Sequence, residues 1–160
     1  MAFAGLAALA VGACKRSPSE MNVASAVATD TPAAPRPAAM TVYRDPSCGC
    51  CEAWARMAER AGFQVTLVDR GDMPAIKQRL GVPEALASCH TAIIGDYVIE
   101  GHVPLDAVRR LVSGKPAGIR GIAVAGMPRG TPGMEMPDGS KDPFEIIAFN
   151  GAGTMTAFQG

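Results

Sequence analysis

The sequence carries no excess of charge of either sign: Lys plus Arg and Asp plus Glu number 15 each, and the formal net charge is zero. No basic run extends beyond Lys15-Arg16. A nucleic-acid partner needs clustered cations facing its phosphates, so that class of function is excluded. Aromatic residues make up only 5% of the chain, with a single Trp and two His. No apolar run approaches the roughly 20 residues of a membrane-spanning helix, and there is no internal repeat. In contrast, Gly (18), Pro (13) and Met (9) are plentiful, and the apolar fraction of 48% suffices for a modest core. At 160 residues the chain fits one domain with appendages.

The longest apolar run, Met1 to Ala13, has the length of a signal-peptide core and stops at Cys14. Its end, Val11-Gly12-Ala13-Cys14, resembles the lipobox of bacterial lipoproteins, in which the cysteine is lipidated. An ordinary signal peptide with an incidental cysteine is the alternative; no Lys or Arg precedes the run. With lipid on Cys14, residues 1–13 are removed and the mature chain is anchored to a membrane, the outer one favoured, without crossing it. Residues 14–40, rich in Ala, Ser, Thr and Pro, read as a disordered tether whose ends lie about 25–30 Å apart. Met21 and Met40 sit in it as bystanders.

Folded sequence is expected over residues 41–160. Thr41-Val42-Tyr43 reads as a strand leading into the turn Asp45-Pro46-Ser47. Cys50, Trp54, Met57, Ala58 and Ala61 share one face of a helix that Gly62 ends. Phe63 to Leu67 alternates as a half-buried strand does, and Asp72 is a candidate N-cap for a helix ending at Gly81. Thr91–Ile94 and Tyr97–Ile99 flank Gly95-Asp96 as a hairpin. Pro104 opens a third helix with Leu105, Val108, Leu111 and Val112 on one face. The order β-α-β-α-β-β-α predicts an α/β, thioredoxin-like fold, a central mixed sheet flanked by helices. From Lys115 a Gly/Pro-rich C-terminal extension follows, with two late strands around Phe144–Phe149 and Thr154–Phe158.

The chemistry concentrates in Pro46-Ser47-Cys48-Gly49-Cys50-Cys51-Glu52. Cys48 and Cys51 have the C-x-x-C spacing of thiol oxidoreductases, where a helix N-terminus stabilises a thiolate. Cys50 is one thiol more than a dithiol cycle uses. Thiolates also bind Cu(I), Zn(II) and iron–sulfur clusters. Adjacent Cys50 and Cys51 diverge, which suits bridging several ions better than chelating one. Four thiolates on a single Cu(I) leave about three uncompensated negative charges, and several Cu(I) ions sharing them approach neutrality. A multinuclear metal site, a Cys48/Cys51 redox pair and structural disulfides that tie one of the trio to Cys89 therefore stand side by side. A zinc-stabilised interaction module is a further possibility.

Cys89-His90 precedes the Thr91 strand, where this fold brings a loop against the cysteine-bearing helix. Thioredoxins hold a proline there; Ser88-Cys89-His90-Thr91 does not. If strand geometry has begun, Cys89 and His90 point to opposite faces and only one enters the site. His102, in the loop Gly101-His102-Val103-Pro104, is either solvated or a ligand. Met127, Met134 and Met136 fall within ten residues of a Gly/Pro loop. They are either soft thioether ligands or adaptable packing.

Taken together, Cys48-x-Cys50-Cys51, Ser88-Cys89-His90-Thr91, Gly-Asp-Tyr-Val-Ile-Glu-Gly-His-Val-Pro (95–104) and Gly-Met-Pro-x-Gly-x-Pro-Gly-Met-Glu (126–135) resemble the CopG-like copper-resistance proteins. That family was long catalogued only as a domain of unknown function. The resemblance runs from about Thr41 to Phe158. It implies a periplasmic thioredoxin-like domain that binds a copper–thiolate cluster, is linked to copper resistance and has copper redox activity. Carried over, Cys48, Cys50, Cys51, Cys89 and His102 are the implied cluster ligands, with Met127 and Met134 as nearby candidates; the motifs do not reach Met136. The implied cargo is several Cu(I) ions, and the implied partners are periplasmic copper-handling proteins. A thiol–disulfide oxidoreductase using Cys48 and Cys51 is the alternative.

Overall fold

A computed structural model describes residues 38–159. The signal peptide, Cys14 and almost all of the expected tether lie outside them. Among the described residues no helix is long and apolar enough to cross a membrane.

The first strand, β1, spans Ala39–Arg44 and alternates, with Met40, Val42 and Arg44 turned inward. It begins two residues before the expected start, and Met40, 1% exposed, is a core residue and not a bystander of the tether. Helix α1 follows at Gly49–Arg60. Its buried face is Cys51, Trp54, Ala55 and Ala58. The helix is thus rolled by one position from the face expected through Cys50 and Met57. Trp54, the largest side chain of the helix, is fully buried on either face; the roll brings Cys51 and Ala55 inward beside it.

Strand β2 (Gln64–Asp69) returns parallel to β1. Helix α2 (Met73–Leu80) carries Pro74 in its first turn and ends at Gly81, which adopts φ +74°. Asp72 occupies the cap position, but its carboxylate is drawn off by Arg70 at 2.9 Å and makes no cap hydrogen bond. Strands β3 (His90–Ile94) and β4 (Tyr97–Glu100) form the expected hairpin across Gly95-Asp96. Helix α3 (Leu105–Gly114) buries Ala107, Val108 and Leu111.

One strand was not expected. β5, Gly121–Ala123, pairs parallel to β4, so β4-α3-β5 is a crossover unit. All three of its residues are buried, so it shows none of the alternation that marks a half-buried strand. The two late strands are β6 (Ile147–Phe149) and β7 (Met155–Ala157), antiparallel to each other.

The sheet order is β2-β1-β3-β4-β5-β6-β7. Its first four strands, with β1/β2 parallel and β3 antiparallel to both β1 and β4, are the thioredoxin-like core. The extension adds three strands on the β4 side. One core cluster packs α1 and α3 against the sheet through Trp54, Ala58, Val108 and Leu111. A smaller one gathers Val82, Leu86, Val98, Ala123 and Phe149. The register places Arg44 beside His90 and Thr91 beside Glu100. The exit of β1, the entry of β3 and the exit of β4 therefore meet at one end of the sheet.

Candidate metal centre

Three segments converge there. The first is the turn after β1. Ser47 N donates to Asp45 Oδ1 (2.8 Å) and Cys48 N to the Asp45 carbonyl (3.0 Å), closing a tight Asx-type turn. Arg44, 9% exposed, donates to the carbonyls of Pro46 and Cys48 and sits 2.9 Å from Asp69 Oδ1, an ion pair without hydrogen-bond alignment. Cys48 is the N-cap residue of α1. The three sulfurs of this segment thus surround a helix start, where free backbone N–H groups favour negative charge.

The second segment is Ser88-Cys89-His90. Glu100, with no exposure, accepts from Ser88 N (2.6 Å), Thr91 Oγ1 (2.6 Å) and Lys77 Nζ (2.5 Å), and so holds the backbone just before Cys89. Burial pushes this carboxyl's pKa up, and the Lys77 ammonium opposes the shift.

The third segment is Gly101-His102-Val103. Gly101 has φ +72°, and a side chain there would strike Ser88 Oγ and the Val124 carbonyl at 2.5 Å, so only glycine lets the two loops close on each other. Trp54 Nε1 donates to the Val103 carbonyl (2.9 Å) and fastens α1 to this loop.

The sulfurs and imidazoles face one another. Cys50 Sγ lies 3.4 Å from Cys48 Sγ and 3.9 Å from Cys89 Sγ. Cys89 Sγ lies 3.0 Å from His102 Nε2 and 3.4 Å from His90 Nδ1. The ligand atoms of Cys48, Cys50, Cys51 and Cys89 all fall within 4.8 Å of one another, and so do those of Cys89, His90 and His102. Zinc–thiolate bonds are about 2.3 Å, so sulfurs sharing one such ion stand at most roughly 4.6 Å apart. The 3.4 and 3.9 Å separations meet that condition. Thiolate and imidazole together form a donor set for a soft ion.

His102 is prepared for this task. Its Nδ1 lies 2.8 Å from the Pro132 carbonyl. A carbonyl only accepts, so Nδ1 carries the hydrogen and Nε2 presents a lone pair to Cys89. A ligating histidine whose other nitrogen donates to a backbone carbonyl is the usual outer support of a metal site. Burial holds the pKa of both histidines below the ordinary value, His90 well below it, which keeps the rings neutral and able to coordinate. Burial, with Cys50 beside it, pushes the Cys89 thiol up to about 12. Without a metal Cys89 therefore keeps its proton, and an incoming ion must displace it.

Two expectations are corrected. Cys89 and His90 do not point to opposite faces: β3 starts only at His90, so Cys89 belongs to the preceding loop and both residues turn to the site. His90 thereby joins the group through Nδ1, 3.4 Å from Cys89 Sγ. Second, the cysteine trio is not tied to Cys89. A disulfide joins Cys48 to Cys51, because one turn of helix brings their Cα atoms to 5.5 Å, while Cys50 and Cys89 are free. As metal ligands, Cys48 and Cys51 count only once that bridge is reduced.

His102 is fully buried, not a solvated loop residue. Met127 is 54% exposed, and Met134 is half-buried. Met134 follows Gly133, whose φ of +82° lets the loop press on α1: a Cβ there would come within 2.9 Å of Cys50 O and Trp54 N. Sequence reasoning missed Arg44, Lys77, Glu100 and Pro132. The only trace in the sequence was a charged Glu100 continuing an apolar strand.

The chain is similar to known proteins. A family profile described as a protein of unknown function, DUF411, matches residues 86–134, which hold Cys89, His90, His102 and Pro132 but not the helix cysteines. No curated protein sequence matches. Two solved structures of copper resistance protein CopG do. Form 1 is 42% identical with a TM-score of 0.71, over 76% of this chain and 94% of that one. Form 2 is 41% identical with a TM-score of 0.72, over 76% and 95%. At that identity and coverage, the chain belongs to the CopG copper resistance protein family.

Proposed function

We propose that this protein handles copper by binding several Cu(I) ions in a copper–thiolate cluster at the start of α1, for copper resistance. The observation that carries this reading is the meeting of two donor groups at Cys89, one of four cysteines and one of a cysteine with two neutral histidines. Cys48, Cys50, Cys51, Cys89 and His102 supply the ligands, with the thioethers of Met127 and Met134 as further candidates. Adjacent thiolates invite sharing between ions, since shared sulfurs bring a buried cluster toward neutrality. Copper held among sulfur and nitrogen donors is also open to cycling between Cu(I) and Cu(II). Export by the residues 1–13 signal, a lipid on Cys14 and a place in the periplasm, next to other copper-handling proteins, complete the proposal.

Anaerobic Cu(I) titration of the reduced chain tests it: more than one ion per chain is expected, with a loss in Cys50→Ser. Less than one ion, or a Cys50→Ser variant indistinguishable from wild type, sinks the reading. Metal content and the absorption spectrum of protein recovered from copper-fed periplasm test ion and compartment together. Cys14→Ser should release the protein from the membrane fraction.

One observation favours a second reading. The Cys48–Cys51 bridge at a helix start is what a thiol–disulfide oxidoreductase carries. That reading requires insulin reduction that depends on Cys48 and Cys51 and is indifferent to Cys50 and His102.

A further inference from the structure

The bridge and the free thiols occupy the same few ångströms, yet they are not interchangeable. Cys48 and Cys51 are consumed in the disulfide, while Cys50 and Cys89 remain thiols 3.9 Å apart. Cys89 in turn faces His102 Nε2 at 3.0 Å and His90 Nδ1 at 3.4 Å. Cys89 and the two imidazoles, their ligand atoms all within 4.8 Å of one another, are therefore left as a group of three when the bridge is closed. His90 is the unexplained member. It is fully buried, packs at 4.7 Å from Trp54 and at 4.9 Å from His102, and keeps a ring nitrogen without a partner. The nitrogen it turns to the site is Nδ1, 3.4 Å from Cys89 Sγ, and its part in the group rests on that contact.

We propose that the Cys48–Cys51 bridge divides the site into two tiers: Cys89, His90 and His102 hold one copper(I) ion while the bridge is closed, and Cys48, Cys50 and Cys51 take further copper only after an external dithiol has opened it. The proposal rests on the copper reading above. It adds His90 as a ligand, a binding mode for the oxidised chain, and a class of redox partner.

Charge sets the capacity of each tier. One thiolate with two neutral imidazoles balances one Cu(I). Opening the bridge adds two thiolates, which stay desolvated and uncompensated unless more Cu(I) arrives. The redox step balances as follows. A donor thiolate attacks Cys48 Sγ, the half-buried sulfur; Cys51, with no exposure, is shielded. The Cys48–Cys51 bond breaks, a mixed disulfide forms on Cys48, and Cys51 leaves as a thiolate into the first turn of α1, where backbone N–H groups stabilise it. The donor's second thiolate then attacks the mixed disulfide and releases Cys48. The donor is oxidised to its disulfide and the protein gains two electrons. The two cysteines give up or forgo their protons as they take Cu(I).

The test uses the full chain carrying Cys14→Ser, so that thiol counts report only Cys48, Cys50, Cys51 and Cys89. Copper-free protein is prepared anaerobically in two states: bridged, and reduced with dithiothreitol that is then removed. Each is titrated with Cu(I) against a chromophoric Cu(I) chelator. The bridged form should show two free thiols and retain about one ion on Cys89, His90 and His102; the reduced form should show four thiols and retain at least twice as much copper. His90→Gln should weaken the ion of the bridged form by roughly tenfold or more, with the thiol count unchanged. A Cys48→Ser/Cys51→Ser chain should behave as the bridged form whether or not it has seen dithiothreitol. Equal uptake by the two wild-type states, or none by the bridged one, overturns the two tiers, and neither result depends on a variant folding. If the reduced state also binds no copper, the copper reading itself falls, which separates the two failures.

Discussion

The two walls of the site are built by opposite means. The helix wall (Cys48, Cys50 and Cys51) comes from four consecutive residues at the start of α1, and a single local event, a disulfide, reshapes it. The loop wall (Cys89, His90 and His102) is drawn from the ends of β3 and β4 and is steadied from outside itself. Glu100 and Lys77 hold the backbone before Cys89, and the Pro132 carbonyl, from the extension, holds His102. The difference separates ligand supply from ligand placement. A helix start supplies thiols cheaply but lets them pair with one another. A wall assembled over long sequence distances fixes each donor, and Cys89 stays a free thiol although Cys50 Sγ lies 3.9 Å away.

The largest effect should come from the residue that both donor groups share. Cys89→Ser is expected to remove copper binding from the bridged chain and to cost the reduced chain roughly one ion or more; Cys48→Ser should leave the bridged-type tier in place. Stoichiometry by Cu(I) titration compares the two. If Cys48→Ser proves the more damaging, the loop wall is not the fixed half of the site.

Next in size is the support behind the loop wall. Glu100→Gln keeps shape but leaves the Lys77 ammonium, only 12% exposed, beside a neutral partner. Removing one member of a buried pair costs about 3 kcal/mol or more, read as a fall in the urea midpoint. The exposed i,i+4 pair Arg110–Asp106 is the control: Asp106→Asn should change stability by roughly 0.5 kcal/mol at most. Similar values for the two substitutions would show that the Glu100 network is not a structural brace.

What the sequence disclosed follows the same division. The helix wall was legible because C-x-C-C is local and because α1 sits where period and turn residues put it. The thioredoxin-like order was legible because β1 to α3 alternate in period and are punctuated by Gly62, Gly81 and Gly95-Asp96. The loop wall was only half legible. Cys89 and His102 could be named as residue types, but the geometry of His90 turned on whether β3 began at residue 89 or 90, a boundary no periodicity resolves. The supports were not legible at all. A carbonyl such as that of Pro132 exists at every position, so nothing in its residue type announces that it orients an imidazole. β5 escaped because a three-residue strand buried on both faces carries no alternation.

A smaller effect is expected where the extension touches both walls. Gly133 has φ +82°, and its missing Cβ makes room for Cys50 O and Trp54 N at 2.9 Å. Gly133→Ala would push this loop off α1 and carry the neighbouring Pro132 carbonyl away from His102 Nδ1. Loss of an outer-shell support typically weakens a metal site by about 10–100-fold. Cu(I) affinity should fall by that factor while the thiol count and the Cys48–Cys51 bridge are unaffected. Unchanged affinity would mean that His102 holds its orientation without the extension.

The smallest effects should come from the methionines, and their order distinguishes a loop that supplies ligands from one that only supports them. Met127→Leu and Met134→Leu each remove a soft donor while conserving volume, so any change in copper affinity reports the thioether and not the packing. Met127 is 54% exposed, and a thioether in water gains little by reaching toward a site that already holds sulfur and nitrogen donors. Met134 is half-buried and follows directly on the residue packed against Cys50 O. Substituting Met134 should therefore weaken Cu(I) binding more than substituting Met127, both by roughly tenfold or less, with stability within about 0.5 kcal/mol of wild type for Met127→Leu. The reverse order would make the exposed thioether the working ligand and would require the loop to fold down over the helix wall when copper arrives.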